Sequence, residues 1–234
     1  MKVFARIFVV AAVITALAGC TAIQIGGSIT MREDGSGTRV IRMYVFDSDN
    51  GDGYGNAIRY LRLRGEPLRA KVLEHLSRGI GDTSWLTVTV HTGTQMNVNT
   101  NRNHTAEIVT ITFNFTSFDD YSARMSQLAH FGSRTLPSDS EFRPPVMQAT
   151  RTQFRFRESS NTALWAIRPL FHSMIADPQV FDFTAGGTNT NADLDQLIFF
   201  GLEMRGVPIT LNFGANPPRT IISGQDVAET FRRN

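Results

Sequence analysis

Two residue types are almost missing from this chain of 234 residues: there is one cysteine, Cys20, and there are two lysines, Lys2 and Lys71. A lone cysteine cannot close an intramolecular disulfide or build a multi-cysteine metal site. With so few lysines, Schiff-base chemistry is confined in practice to Lys71, which is expected on a solvent-facing helix. An excess of one charge is lacking too. Residues 1–19 contain Lys2, Arg6 and no acid, and without them basic and acidic residues balance at 21 each. A nucleic-acid partner needs a basic footprint, so none is expected. Beyond the first twenty residues, no apolar run approaches the ~20 residues that span a bilayer.

What is present at the start is more telling. Lys2 and Arg6 precede the apolar stretch "IFVVAAVITAL", residues 7–17, which is too short to cross a membrane and fits a secretory signal peptide. Small residues Ala18 and Gly19 follow, and then Cys20. Leu17-Ala18-Gly19-Cys20 resembles the lipobox of bacterial lipoproteins. That resemblance implies a diacylglyceryl group on the Cys20 thiol and cleavage that leaves Cys20 as the new N-terminus. Two acyl chains suffice for stable anchoring, whereas one does not. Residues 1–19 are thus expected to be a lipoprotein signal peptide. Residues 20–234 would form a single lipid-anchored domain, with 133–147 as an internal connection. The expected location is the extracytoplasmic face of a membrane, outer or plasma according to the envelope. Acylation would also consume the only thiol.

Periodicity predicts an α+β fold: a twisted antiparallel β-sheet with two to four helices packed on one face. Residues 24–46 read as a hairpin turning at "EDGSG". A short helix is expected at 57–63, and a better one at 67–78, striped by Leu68, Val72, Leu73 and Leu76 and closed by Gly79. Strands at 85–91 and 107–115 alternate, with the loop 92–104 between them. Ser117 caps a helix carrying Asp120 three residues on, with Tyr121, Met125 and Leu128 on its stripe. Residues 150–157 alternate Phe154 and Phe156 with Arg151, Arg155 and Arg157. A helix follows at 161–176, where Pro169 predicts a kink or a break. Extended segments are expected at 179–183, 196–204, 207–213 and 219–223, and a short helix or a frayed end over "GQDVAETFRR".

Signs of chemistry are sparse. The five histidines, His75, His91, His104, His130 and His172, show no ligand spacing, and there is no nucleophile elbow and no phosphate-cradling loop. Asp47, Asp49, Asn50 and Asp52 crowd one loop, but the register puts Arg59 where calcium would need a bidentate glutamate. Asn189, Asn191, Asp193 and Asp195 form a second polar cluster. No metal site, cofactor or catalytic residue is predicted. The 17 phenylalanines, many on inward faces, suit either a Phe-rich core or a hydrophobic ligand.

Two further stretches, "IGGSITMREDGSGTRVIRMYVF" after the lipobox and "VTITFNFTSFDDYSARMSQLAHFG", together resemble the LppM-like domains of bacterial lipoproteins. That resemblance implies an α+β envelope lipoprotein domain without established catalytic residues. The expected function is therefore non-enzymatic: a lipid-anchored envelope protein that binds a hydrophobic or lipid ligand, or an envelope partner. Two alternatives stay open. One is a structural surface-interaction lipoprotein without a pocket, making contact through polar loops 92–104 and 184–193. The other is an envelope hydrolase, which would need a carboxylate and a histidine brought together.

Overall fold

A computed structural model describes residues 23–46, 61–97, 101–131, 144–149, 153–158, 162–181, 208–214, 216, 218–222 and 227–232. Residues 1–22, with Cys20, the Asp-rich loop 47–53, Arg151, the expected strand 196–204 and the polar loop 184–193 lie outside them.

Strands β1 (Ile23–Met31) and β2 (Gly37–Phe46) form the expected hairpin. Strands β3 (Leu86–Asn97) and β4 (Arg102–Phe115) form a second, and β4 pairs β2. With β7 (Pro208–Phe213) and β8 (Arg219–Ile222) they make one six-stranded sheet, ordered β3-β4-β2-β1-β7-β8. The α+β architecture is as expected, but the sheet is mixed: β1 pairs β7 in parallel, Gly27 opposite Ile209 and Met31 opposite Phe213. A second, three-stranded sheet is ordered β5-β6-β9, from β5 (Val146–Ala149), β6 (Gln153–Glu158) and β9 (Val227–Arg232). The segment 227–232, expected to be helical or frayed, is therefore an edge strand, and its β-branched and aromatic residues suit that state. Of the expected strand at 179–183, residues 179–181 are described, and Phe181 there makes an isolated bridge to Leu61.

One face of the large sheet carries the core. Val88, Val109, Ile111, Phe113, Ile41, Met43, Ile25, Ile29, Leu211 and Phe213 are all buried there. Helices α1 (Gly65–Ile80), α2 (Phe118–Ala129) and α3 (Thr162–Ile175) supply Leu68, Val72, Leu76, Tyr121, Met125, Leu128, Ile167, Phe171 and Met174 to the same cluster. Burying each such side chain contributes roughly 1.5–3 kcal/mol.

Helix boundaries differ from the expectation in two instructive places. Helix α1 starts at Gly65, two residues before Pro67, because the carboxylate of Glu107 on β4 accepts the Gly65 N–H at 3.2 Å. It also runs past Gly79 to Ile80, where Gly81, at φ 78°, ends it. Gly79 serves another purpose: a Cβ there would lie 2.1 Å from the ring of the buried Phe131. Helix α2 begins as expected, with the Ser117 hydroxyl accepting the Asp120 N–H at 3.2 Å. Helix α3 continues through Pro169, which is itself buried, where an isolated helix would be expected to kink or break.

Of the expected loop 92–104, residues 92–97 and 102–104 are strand. β3 and β4 continue into it, paired as far as Asn97 opposite Arg102. Gln24 shares a row with His91 through Tyr44 and Ile108. Asn97 lies six residues past His91, about 20 Å along a straight strand, yet its Oδ1 accepts a hydrogen bond from Gln24 Nε2 at 3.0 Å. The hairpin end therefore coils over the sheet's other face. Phe46, Ala106 and Ile108 are buried beneath it, and Phe46 meets His104 edge-on.

Candidate functional site

Three arrangements gather polar chemistry. The first joins α1 to α3. His75, 2 % exposed, stands on the buried stripe of α1 beside Leu76 and one turn from Val72. Its Nε2 lies 3.0 Å from Asp177 Oδ2 and its Nδ1 lies 2.7 Å from Ser173 Oγ. A carboxylate only accepts, so Nε2 carries a proton, and with the ring neutral Nδ1 accepts from the serine hydroxyl. Ser173 and Asp177 are four residues apart, at the end of α3 and just beyond it, which puts both on one side. Asp177 also receives the Gln179 N–H at 2.8 Å and lies 3.3 Å from Lys71 Nζ. Burial pushes its carboxyl up, but the Gln179 N–H, His75 and Lys71 outweigh burial and hold it below the ordinary aspartate value. Lys71, expected to face solvent freely, is instead paired with both Asp177 and Glu74.

The second is buried between the two sheets. Arg39 points inward from β2 with its side chain 1 % exposed, and its Nη2 lies 3.3 Å from Glu158 Oε1 on β6. Tyr121 of α2 donates its hydroxyl to Glu158 Oε2 at 2.5 Å. Burial, and then the Glu158 charge, push the Tyr121 phenol well above its usual range. Among the described residues, Arg39 Nε and Nη1 find no hydrogen-bond partner. Phe113, Phe115, Phe118 and Phe156 surround Tyr121.

The third is the part of the sheet's outer face that the coiled hairpin leaves bare. Thr87, Thr112, Val40, Ser28, Thr210 and Thr220 line up across all six strands. Asn114, Thr38, Thr30 and Asn212 form a neighbouring row, linked by Thr38 to Asn114 at 2.7 Å and Asn212 to Thr30 at 3.3 Å. All ten are exposed or half-buried. On β6, Arg155 and Arg157 are exposed and Phe156 is buried, as the alternation predicted.

Sequence reasoning took the five histidines one at a time and did not pair His75 with any acid. A signal was present, since His75 falls on the apolar stripe with Leu68, Val72 and Leu76, where an imidazole needs polar partners. Ser173 and Asp177, 98 and 102 residues away, carried no mark in sequence. Among the described residues, no three His, Cys, Asp or Glu side chains gather as metal ligands would. No described helix is long and apolar enough to cross a membrane. No protein-family model, curated protein or solved structure matches the chain.

Proposed function

We propose that this is a lipid-anchored protein of the bacterial cell envelope that acts by binding an envelope partner, without catalysis. The lipobox ending at Cys20 supports the anchor, and one structural observation carries the mode of action. The apolar face of the sheet is occupied by its own helices, while its outer face offers two rows made of hydroxyl and amide side chains apart from Val40. Such a surface makes many weak, directional hydrogen bonds and suits a polar partner better than a lipid tail. A photo-crosslinking residue at Thr112 should capture the partner in intact cells, and the same residue at Glu66 on α1 should not. If native mass spectrometry of the protein instead shows a co-purifying lipid, the hydrophobic-ligand reading replaces this one.

The histidine cluster favours a second reading, an envelope hydrolase. Ser173 donates to His75, and His75 is oriented by Asp177, so the serine has a base and the base has an orienting acid. In such a reaction Ser173 Oγ would attack an acyl carbon as His75 Nδ1 takes its proton, the bond to the leaving group would break as that group takes the proton, and a water deprotonated by the same ring would then displace the acyl group and restore Ser173. Against this, Asp177 is shared with Lys71 and the Gln179 N–H, which lessens its support for an imidazolium. The same bonds serve directly as a clamp between α1 and α3. A fluorophosphonate probe decides: labelling of Ser173 that is lost in His75→Asn establishes the hydrolase, and no labelling leaves the clamp.

A further inference from the structure

The end of the β3–β4 hairpin lies beside the anchor. Gln24 is four residues from Cys20, so whatever path residues 21–23 take, the two Cα atoms are at most about 14 Å apart. Gln24 is also hydrogen-bonded to Asn97, the last residue of β3. Met96, Asn97 and their cross-strand partners Asn103 and Arg102 are thereby fixed to the anchored end of the sheet.

The side chains displayed there are of a particular kind. Met96 is 49 % exposed, and among the described residues only Val146 is a comparably exposed large apolar side chain. Asn97 turns inward onto Gln24, so its neighbour Met96 points the other way, as alternation along a strand requires. Arg102 and Asn103 are exposed. From Thr83 to Ala106 the chain holds no Asp or Glu, so no carboxylate of this segment opposes a phosphate. An apolar side chain flanked by a guanidinium and amides matches the boundary between headgroups and acyl chains.

We infer that the end of this hairpin is a second membrane contact, with Met96 entering the headgroup–acyl boundary and Arg102 meeting a phospholipid phosphate. The inference rests on acylation of Cys20, which brings the hairpin end to the bilayer. Two contacts, one covalent and one through the hairpin, would fix the domain's orientation, whereas the acyl group alone would let it swing.

The chain's composition makes the test clean. With Cys20 acylated, Met96→Cys supplies the only free thiol for an environment-sensitive nitrobenzoxadiazole label. Thr87→Cys, exposed nine residues back on the same strand, is the control. Each labelled lipoprotein is placed in vesicles of phosphatidylethanolamine and phosphatidylglycerol, and its intact mass is measured. The label at position 96 should shift to shorter wavelength and resist reduction by external dithionite, while that at 87 stays quenchable. Arg102→Glu should diminish the shift at 96. If the mass shows the diacylglyceryl group and both labels are reduced alike, the hairpin contact is overturned while the anchor stands. If the mass lacks the acyl group, the anchor fails and the inference falls with it.

Discussion

Arg39 on the large sheet and Glu158 on the small one meet at 3.3 Å with side chains 1 % and 2 % exposed. They form a buried ion pair between the two sheets, completed by the hydroxyl of Tyr121. A pair this deep costs desolvation on both sides, so its worth lies in what breaking it leaves behind. Glu158→Ala should destabilise the protein by about 3–5 kcal/mol, since the Arg39 guanidinium would remain buried and uncompensated. The double variant Arg39→Met, Glu158→Leu should recover most of that loss. Urea unfolding of the three proteins measures both effects, and a double variant no better than the single one refutes the account.

Tyr121→Phe tests the third member. It keeps the ring contacts and removes only the donor to Glu158, so a cost of about 1–3 kcal/mol is expected. The phenol is held above its usual range in the fold. Its contribution is complete below the unfolded value near 10 and is lost as pH rises through the higher folded value. The wild-type advantage over the variant should therefore shrink in strong alkali, which unfolding curves at rising pH will show.

Asp177 has the opposite sign. Its carboxyl is held below 3.8 in the fold and regains that value on unfolding. Its contribution is whole above 3.8 and fades as pH falls through the folded value. Asp177→Asn should cost about 1–2 kcal/mol at neutral pH, with wild type and variant converging in acid. A constant gap down to the lowest pH at which both fold would contradict this.

Gly79→Ala offers a test of packing against propensity. Inside a helix this change ordinarily gains about 1 kcal/mol. Here the new methyl meets the Phe131 ring at 2.1 Å, and overpacking of this kind costs about 1–3 kcal/mol. The variant should melt lower than wild type. Adding Phe131→Leu should return part of the loss, and a higher melting temperature for Gly79→Ala alone would refute the close approach.

Cys20→Ser addresses the anchor. The variant should take up no labelled fatty acid in cells and should either stay uncleaved or leave the membrane. Full membrane retention with the label intact would remove the localisation proposed above.

Much of the fold was legible because short-range pattern dictated it. The alternation of Val109, Ile111, Phe113 and Phe115 against Thr110, Thr112 and Asn114 gave a sheet with one wet face, and Ser117 with Asp120 gave a helix start. What escaped depended on distant partners. The start of α1 needed Glu107, 42 residues away. The extended state of 92–97 and 102–104 needed the coil of the hairpin onto Gln24, because an Asn/Thr-rich run has no hydrophobic period of its own. The pairing of His75 with Ser173 and Asp177 needed two helices to pack. The identity of such partners is tertiary information that local periodicity does not carry.

The parallel pairing of β1 with β7 has a bearing on the order of assembly. β1 is a central strand, yet the chain supplies its second neighbour only at residues 209–213. Until those residues emerge, Gly27–Met31 shows a bare row of amides and carbonyls on that side. Closure of the sheet is thus delayed to nearly the end of the chain, the slow kind of contact that long sequence separation imposes. If the chain is exported unfolded and anchored at Cys20 as proposed, that delay would keep the domain from locking before residues 209–213 arrive.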